Sequence, residues 1–173
     1  MDSRAKRLEK LLPNGRGVWI PIDHGASDFP VEGLVDTENT IKALISAGVD
    51  VILAQKGVVS HYSHLCEGTK TNMVVHLSVS TRHAGPDSEN KVLVGHPDEV
   101  ISRGGLGVSC QVNIGSPNEA EMIERMGEVS RQSHKLQLPM FGMVYARGEF
   151  LNIIPGDSTL GNAHAARLAF ELG

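Results

Sequence analysis

Asp23 and His24 stand side by side where an apolar run, residues 17–22, gives way to Gly25. A carboxylate at such a strand end is partly desolvated and can take up and return a proton. The imidazole next to it can orient that carboxylate, act as a base or touch a phosphate. Tyr145 closes a second apolar run, residues 138–145, and its phenol is another candidate for proton relay. Arg147, two residues on, carries a fork that suits phosphate or carboxylate. Lys56 follows the run 49–54. A lysine there is either a Schiff-base amine or a fixed charge that neutralises a substrate or Asp23. Ser78 follows the run 73–77, and Asn113 lies near the end of 106–114. Any sheet has solvated polar strand ends. An acid, a base, an amine and a phenol on one set of ends point further, to an enzyme.

His61-x-x-His64-x-Cys66 has a spacing open to metal ligation, but no paired C-x-x-C accompanies it. His76 falls inside a strand, and the other histidines are scattered. Solvated loop histidines are the simpler account, so no metal is expected.

The elements that must position these residues follow from the pattern between them. The five runs are apolar throughout rather than alternating, as parallel strands covered on both faces are. Helical segments lie between them: 37–47, stopped by Gly48; 97–103, stopped by Gly104; a helix from the capping box Ser116-Pro117-Asn118-Glu119 to about 136; and 157–172. Residues 58–66 suggest a short irregular helix, and about 2–12 an amphipathic one ended by Pro13. Strand–helix alternation predicts βαβ units around a parallel sheet, in one domain over 1–173. No G-x-G-x-x-G follows the first strand and no P-loop is present, which removes the support for nucleotide binding. Polar residues on nearly every strand end favour a (β/α)8 TIM barrel, whose C-terminal strand ends form the active face.

Composition agrees. The 173 residues carry a formal net charge of −4, with 40% hydrophobic and 4% aromatic residues. That charge gives no general attraction to nucleic acid or to anionic membrane, and no apolar run is long enough to span one. Two cysteines, Cys66 and Cys110, make no disulfide framework, so a reducing, cytoplasmic setting is expected.

Several segments, in order, carry a family likeness: Pro21-Ile22-Asp23-His24-Gly25, Gln55-Lys56-Gly57, Val75-His76-Leu77-Ser78, Val112-Asn113-Ile114-Gly115-Ser116, Met143-Val144-Tyr145-Ala146-Arg147-Gly148 and Ala163-His164-Ala165-Ala166-Arg167. Together, from about residue 16 to 173, the chain resembles the archaeal-type class I aldolases. That family includes fructose-bisphosphate aldolase and 2-amino-3,7-dideoxy-D-threo-hept-6-ulosonate synthase. The resemblance implies a TIM barrel, lysine Schiff-base chemistry without metal or cofactor, and homo-oligomers. It implies catalytic roles for Asp23, in proton transfer, and Tyr145, on the substrate hydroxyl. His24, Lys56, Ser78 and Arg147 become the substrate-binding residues for a small sugar phosphate and an aldehyde.

Two departures stand out: Ala146 replaces a frequent proline, and Ser78-Val79-Ser80-Thr81 replaces a Gly-rich stretch. The family's Schiff-base lysine lies on the sixth strand, just past a Glu-Leu-Gly like Glu171-Leu172-Gly173. None of the lysines here (Lys6, Lys10, Lys42, Lys56, Lys70, Lys91, Lys135) occupies that place. The expectation is therefore about the first five of eight β/α units, inactive alone. The Pro-Ile-Asp-His-Gly-Ala-Ser opening and Lys56 lean toward the heptulosonate synthase branch, in aromatic amino-acid biosynthesis, with fructose-bisphosphate aldolase as the alternative. A non-catalytic partial barrel that pairs its open edges with a partner chain is the alternative of another class.

Overall fold

Ser3 starts the first helix, α1 (Arg4–Leu11), by accepting the Lys6 N–H on its side chain. Pro13 cannot continue it, and Asn14 and Gly15 reverse the chain at φ of 56° and 76°. The computed structural model describes residues 3–152 and 159–173. Along the chain come β1 (Trp19–Pro21), β2 (Val51–Gln55), β3 (Asn72–His76), a short antiparallel pair β4 (Ser78–Val79) and β5 (Val92–Leu93), then β6 (Gly107–Ile114) and β7 (Met140–Ala146). The helices α2 (Thr37–Ser46), α3 (Lys56–Tyr62), α4 (Glu119–Lys135) and α5 (Thr159–Leu172) fill the connections. Five strands form one parallel sheet in the order β1-β2-β3-β6-β7.

Period-two alternation splits each strand between two faces. One face packs on the helices: Ile52, Met73, Val75, Val108 and Val112 meet Ile41 of α2, Val59 of α3 and Met122, Met126 and Val129 of α4. Each fully buried Ile, Leu or Met there contributes about 2 kcal/mol by leaving water. The other face is apolar only at its lower end, where Val51, Leu53 and Val74 gather Trp19, Phe141 and Met143 around Leu11 of α1. The Trp19 indole N–H donates to the Leu11 carbonyl (3.1 Å), and Arg7 Nη1 donates to the Gln137 carbonyl (2.8 Å), so α1 stoppers that end. Farther along the same face the positions become polar: Gln55, His76, Ser109, Gln111 and Asn113.

Three local expectations change. The 97–103 helix is only a 3-10 turn, Pro97–Glu99, followed by turns in which the Arg103 and Gly104 N–H groups reach back three residues, to the Val100 and Ile101 carbonyls (3.2 and 3.0 Å). The Ser116–Glu119 box is rewired: Ser116 Oγ accepts the Asn118 N–H, and the Glu119 carboxylate takes the Gly115 N–H. The β4–β5 pair was not foreseen, since two-residue strands have no period to read. The helix expected from 157 is observed from Thr159, its first two residues lying outside the described residues. Among the described residues no helix is long and apolar enough to cross a membrane.

Candidate active site at the C-terminal strand ends

Beyond β1 the Ile22 N–H donates to the Leu53 carbonyl (2.8 Å), and the chain then turns into the 3-10 segment Asp23–Ala26. This lays Asp23 over the polar end of the inner face with its side chain 16% exposed. Asp23 Oδ2 lies 3.8 Å from His76 Nε2, and Oδ1 lies 4.0 Å from Nδ1 of the exposed His24. His76 occupies the inward position two residues after Val74. Its register partner on β6 is Ser109, whose Oγ is 2.6 Å from His76 Nδ1. Ser78 Oγ sits 3.2 Å from His76 Nε2 and accepts the Gln111 backbone N–H at 3.0 Å. Burial pushes the His76 imidazole down to about 4; Asp23 pulls it up but does not win, and Lys91 adds to the lowering. The ring is thus neutral near pH 7. Its approach to Asp23 is a neutral imidazole facing a carboxylate, not an ion pair.

The other wall comes from β6 and β7, where Asn113 and Tyr145 are register partners. The N–H groups of Arg147 and Gly148 both donate to the Ile114 carbonyl (3.3 and 2.9 Å). A Cβ on Gly148 would fall 1.8 Å from the Gly115 carbonyl carbon, so this turn closes only with glycine. The turn brings the Arg147 guanidinium over the Tyr145 ring, 4.7 Å from its centroid, and Nε donates to Asn113 Oδ1 at 2.9 Å. Lys91 enters from the end of the β4–β5 connection, just before β5, and donates to Ser80 Oγ at 2.7 Å. Burial lowers its pKa first and the Arg147 charge second, while Asp23 and Glu89 pull the other way. Asp23, His24, Lys91, Gln111, Tyr145 and Arg147 line one cavity of about 350 Å³. A second hollow of about 390 Å³ lies against Arg4, Ser130 and Lys135, at the stoppered end and far from these groups.

Four of the expected residues therefore meet: Asp23, His24, Tyr145 and Arg147. Two do not. Lys56 opens α3 and its Nζ lies 3.5 Å from Glu99 Oε1, away from the cavity. Glu99 is settled there: burial alone would raise its carboxyl, but the His96 N–H, Arg103 and Lys56 hold it below the usual range. Ser78 is 1% exposed and its oxygen is committed to His76 and Gln111, so no substrate reaches it. Sequence reasoning passed over His76 as a strand residue, and it assigned no role to Lys91 or Gln111. Strand parity marks His76 and Gln111 as inward; nothing in the local pattern marks Lys91. Among the described residues no three His, Cys, Asp or Glu side chains are placed to hold a metal ion. His61 stacks edge-on against Tyr62 instead, with centroids 4.6 Å apart.

An acid, a phenol and two cations around a cavity at the ends of parallel strands can hold an anionic substrate and move its protons. The chain is similar to the 2-amino-3,7-dideoxy-D-threo-hept-6-ulosonate synthase of Halobacterium salinarum, at 34% identity over 98% of this chain and 62% of that protein. It is similar to synthase 1 of the same name from Archaeoglobus fulgidus, at 33% identity over 100% of this chain and 63% of that protein. It thus spans under two thirds of the length of the curated relatives it matches. A solved Schiff-base-forming fructose-1,6-bisphosphate aldolase superposes with a TM-score of 0.81 at 22% identity, over 99% of this chain and 68% of that one. The curled five-stranded sheet is accordingly part of a TIM barrel. The model of the DeoC/LacD aldolases matches residues 18–173, and the chain belongs to the DeoC/LacD family of aldolases.

Proposed function

We propose that the whole protein is a lysine Schiff-base aldolase or transaldolase of the heptulosonate synthase type, acting on a sugar phosphate and an aldehyde. The observation that carries this reading is the convergence of Asp23, Tyr145 and Arg147 on one cavity at the strand ends. Relatives of that name at 33–34% identity support the synthase branch. Asp23, partly desolvated and facing a neutral His76, is suited to carry a proton to and from the reacting carbon or nitrogen. Tyr145, under the Arg147 charge, is suited to give or take the proton of the aldol oxygen. Arg147 and the exposed His24 flank the cavity as substrate contacts. The amine that forms the iminium is assigned, through the resemblance, to the sixth strand of the barrel, beyond the five strands seen here. We further propose a cytoplasmic homo-oligomer, in keeping with the free thiols of Cys66 and Cys110.

The test is reduction with borohydride. The full-length protein is incubated with a keto-deoxy sugar phosphate or with fructose 1,6-bisphosphate, reduced, digested and mapped by mass spectrometry. A reduced adduct on one lysine with the first substrate bears out the synthase reading. An adduct with fructose 1,6-bisphosphate alone moves the assignment to the other branch. No adduct with either rejects Schiff-base chemistry.

A further inference from the structure

His76 is a side chain that a ligand cannot reach and that a core does not need. It is 2% exposed and follows Val74 on the same face of β3. A leucine there would fill the space with no polar atom to satisfy, whereas a buried imidazole needs a partner at each ring nitrogen. Both partners are present. Ser109 Oγ lies 2.6 Å from Nδ1 and Ser78 Oγ 3.2 Å from Nε2, and both serines are buried. Ser78 Oγ is tied in turn to the Gln111 backbone N–H (3.0 Å), so the backbone of β6 anchors this grip on the ring.

Asp23 has no such grip of its own. Among the described residues, only two Lys, Arg or His nitrogens come within 4.0 Å of its oxygens: His76 Nε2 at 3.8 Å and His24 Nδ1 at 4.0 Å. The His24 side chain is mostly exposed and free to turn away; the His76 ring is not. Lys91 also acts on the ring, but less strongly than Asp23.

The charge facing the ring selects its tautomer. A ring lone pair aimed at a carboxylate is repelled, and an N–H aimed at it is attracted. The proton therefore belongs on Nε2. The Ser109 hydroxyl then donates to Nδ1, and the two lone pairs of Ser78 Oγ accept the Nε2–H and the Gln111 N–H. We propose that His76 is the positioning residue of Asp23: Ser109 and Ser78 fix the ring, and its Nε2–H holds Oδ2 and so limits the rotation of the carboxylate. The ring itself neither touches the substrate nor takes its proton. This rests on the proposed aldolase function for the proton that Asp23 carries, but not for the pairing.

Two measurements on the full-length protein test it. The first is magic-angle-spinning NMR of protein labelled with 15N-histidine, the His76 signals being those lost in His76→Gln. Near pH 7 the ring should be neutral and protonated on Nε2, and in Asp23→Ala both tautomers should appear. A ring protonated on Nδ1 in the wild type, or one that does not respond to Asp23→Ala, overturns the pairing. The second is steady-state kinetics with the sugar phosphate and aldehyde. His76→Leu should lower kcat about 10- to 100-fold with little change in KM, the cost of a misplaced catalytic group. His76→Gln, whose amide N–H can replace Nε2–H, should recover most of that loss. In an Asp23→Ala background His76→Leu should cost less than about twofold more, because it acts only through Asp23. Equal losses in both backgrounds mean a merely structural role and overturn the proposal. An Asp23-dependent Nε2–H tautomer without any borohydride-trapped adduct rejects the aldolase reading and leaves the pairing standing. An adduct in a protein whose His76 is protonated on Nδ1 does the reverse.

Discussion

At the scale of single residues, His76 is a neutral ring enclosed by Ser109, Ser78 and Asp23. Its pKa in the folded protein, about 4, lies below the ordinary 6.5, so the unfolded chain binds the proton more readily. The stability due to burying the neutral ring is complete above about pH 6.5 and is lost as pH falls toward 4. Between about pH 7 and about pH 5 the wild type should lose about 2 kcal/mol of unfolding free energy from this group. Urea titrations at the two pH values check it: His76→Gln, which cannot titrate, should show a clearly flatter dependence, and an unchanged slope would place the sensitivity elsewhere. In the full-length enzyme, Asp23→Asn should lower kcat by about 10² to 10⁴ with little change in KM, the range of a lost proton-transfer group. A steady-state assay with equal kcat would remove Asp23 from the chemistry. Asp23, His24, Tyr145 and Arg147 were legible in the sequence because a polar residue directly after an apolar run sits on the rim. Lys56 misled because strand parity places Gln55 inward, and the next residue begins α3 on the other side. Ser78 misled for the opposite reason: it faces inward but under cover, where it serves His76 rather than a ligand.

At the scale of elements, α1 is the stopper of the inner face. Leu11 has no exposed surface, and truncation to Ala should cost about 2–5 kcal/mol, the range for a buried leucine that leaves a cavity. Chemical denaturation reads this directly, and a loss below about 1 kcal/mol would mean that α1 is not a structural part of the sheet's lower end. The β7 turn makes a different demand. Gly148→Ala has no room against Gly115, so the turn must shift and carry Arg147 off the Tyr145 ring. In the full-length protein, affinity for the proposed sugar phosphate substrate should fall more than thermal stability does; a variant that melts early but binds normally would contradict this. The five parallel strands were readable because their apolar runs are long enough to show a pattern. The β4–β5 return was not, since it is held by side-chain bonds between distant segments: Arg125 to Lys91, Asn113 to Glu89 and Arg82 to Asp28. Such bonds leave no periodic trace.

At the scale of the molecule, β1 and β7 stand at the two ends of the sheet order, each with one side unpaired within the described sheet. Phe150, Leu160 and Phe170, beside and beyond β7, are 63–78% exposed. Open edges next to exposed apolar side chains favour strand-to-strand association. The 173-residue chain should therefore associate with rising concentration, a trend that light scattering behind size-exclusion chromatography follows on dilution. A monomer at all concentrations, with one cooperative unfolding transition, would count against edge pairing. Strand–helix alternation and polar strand ends were enough to read the barrel class, whereas closure depends on contacts between segments far apart in sequence.

The inner face separates two tasks: its lower positions fill space around Leu11, and at its upper end Gln111 and Tyr145 line the cavity. Because each strand steps from one task to the other within a few alternate residues, the upper set can be rewritten without disturbing the lower. New chemistry can then arise on this scaffold through a handful of substitutions whose effect on foldedness is small. A library varied only at positions 23, 111 and 145, with the buried His76 ring kept, would sample reactions, not folds.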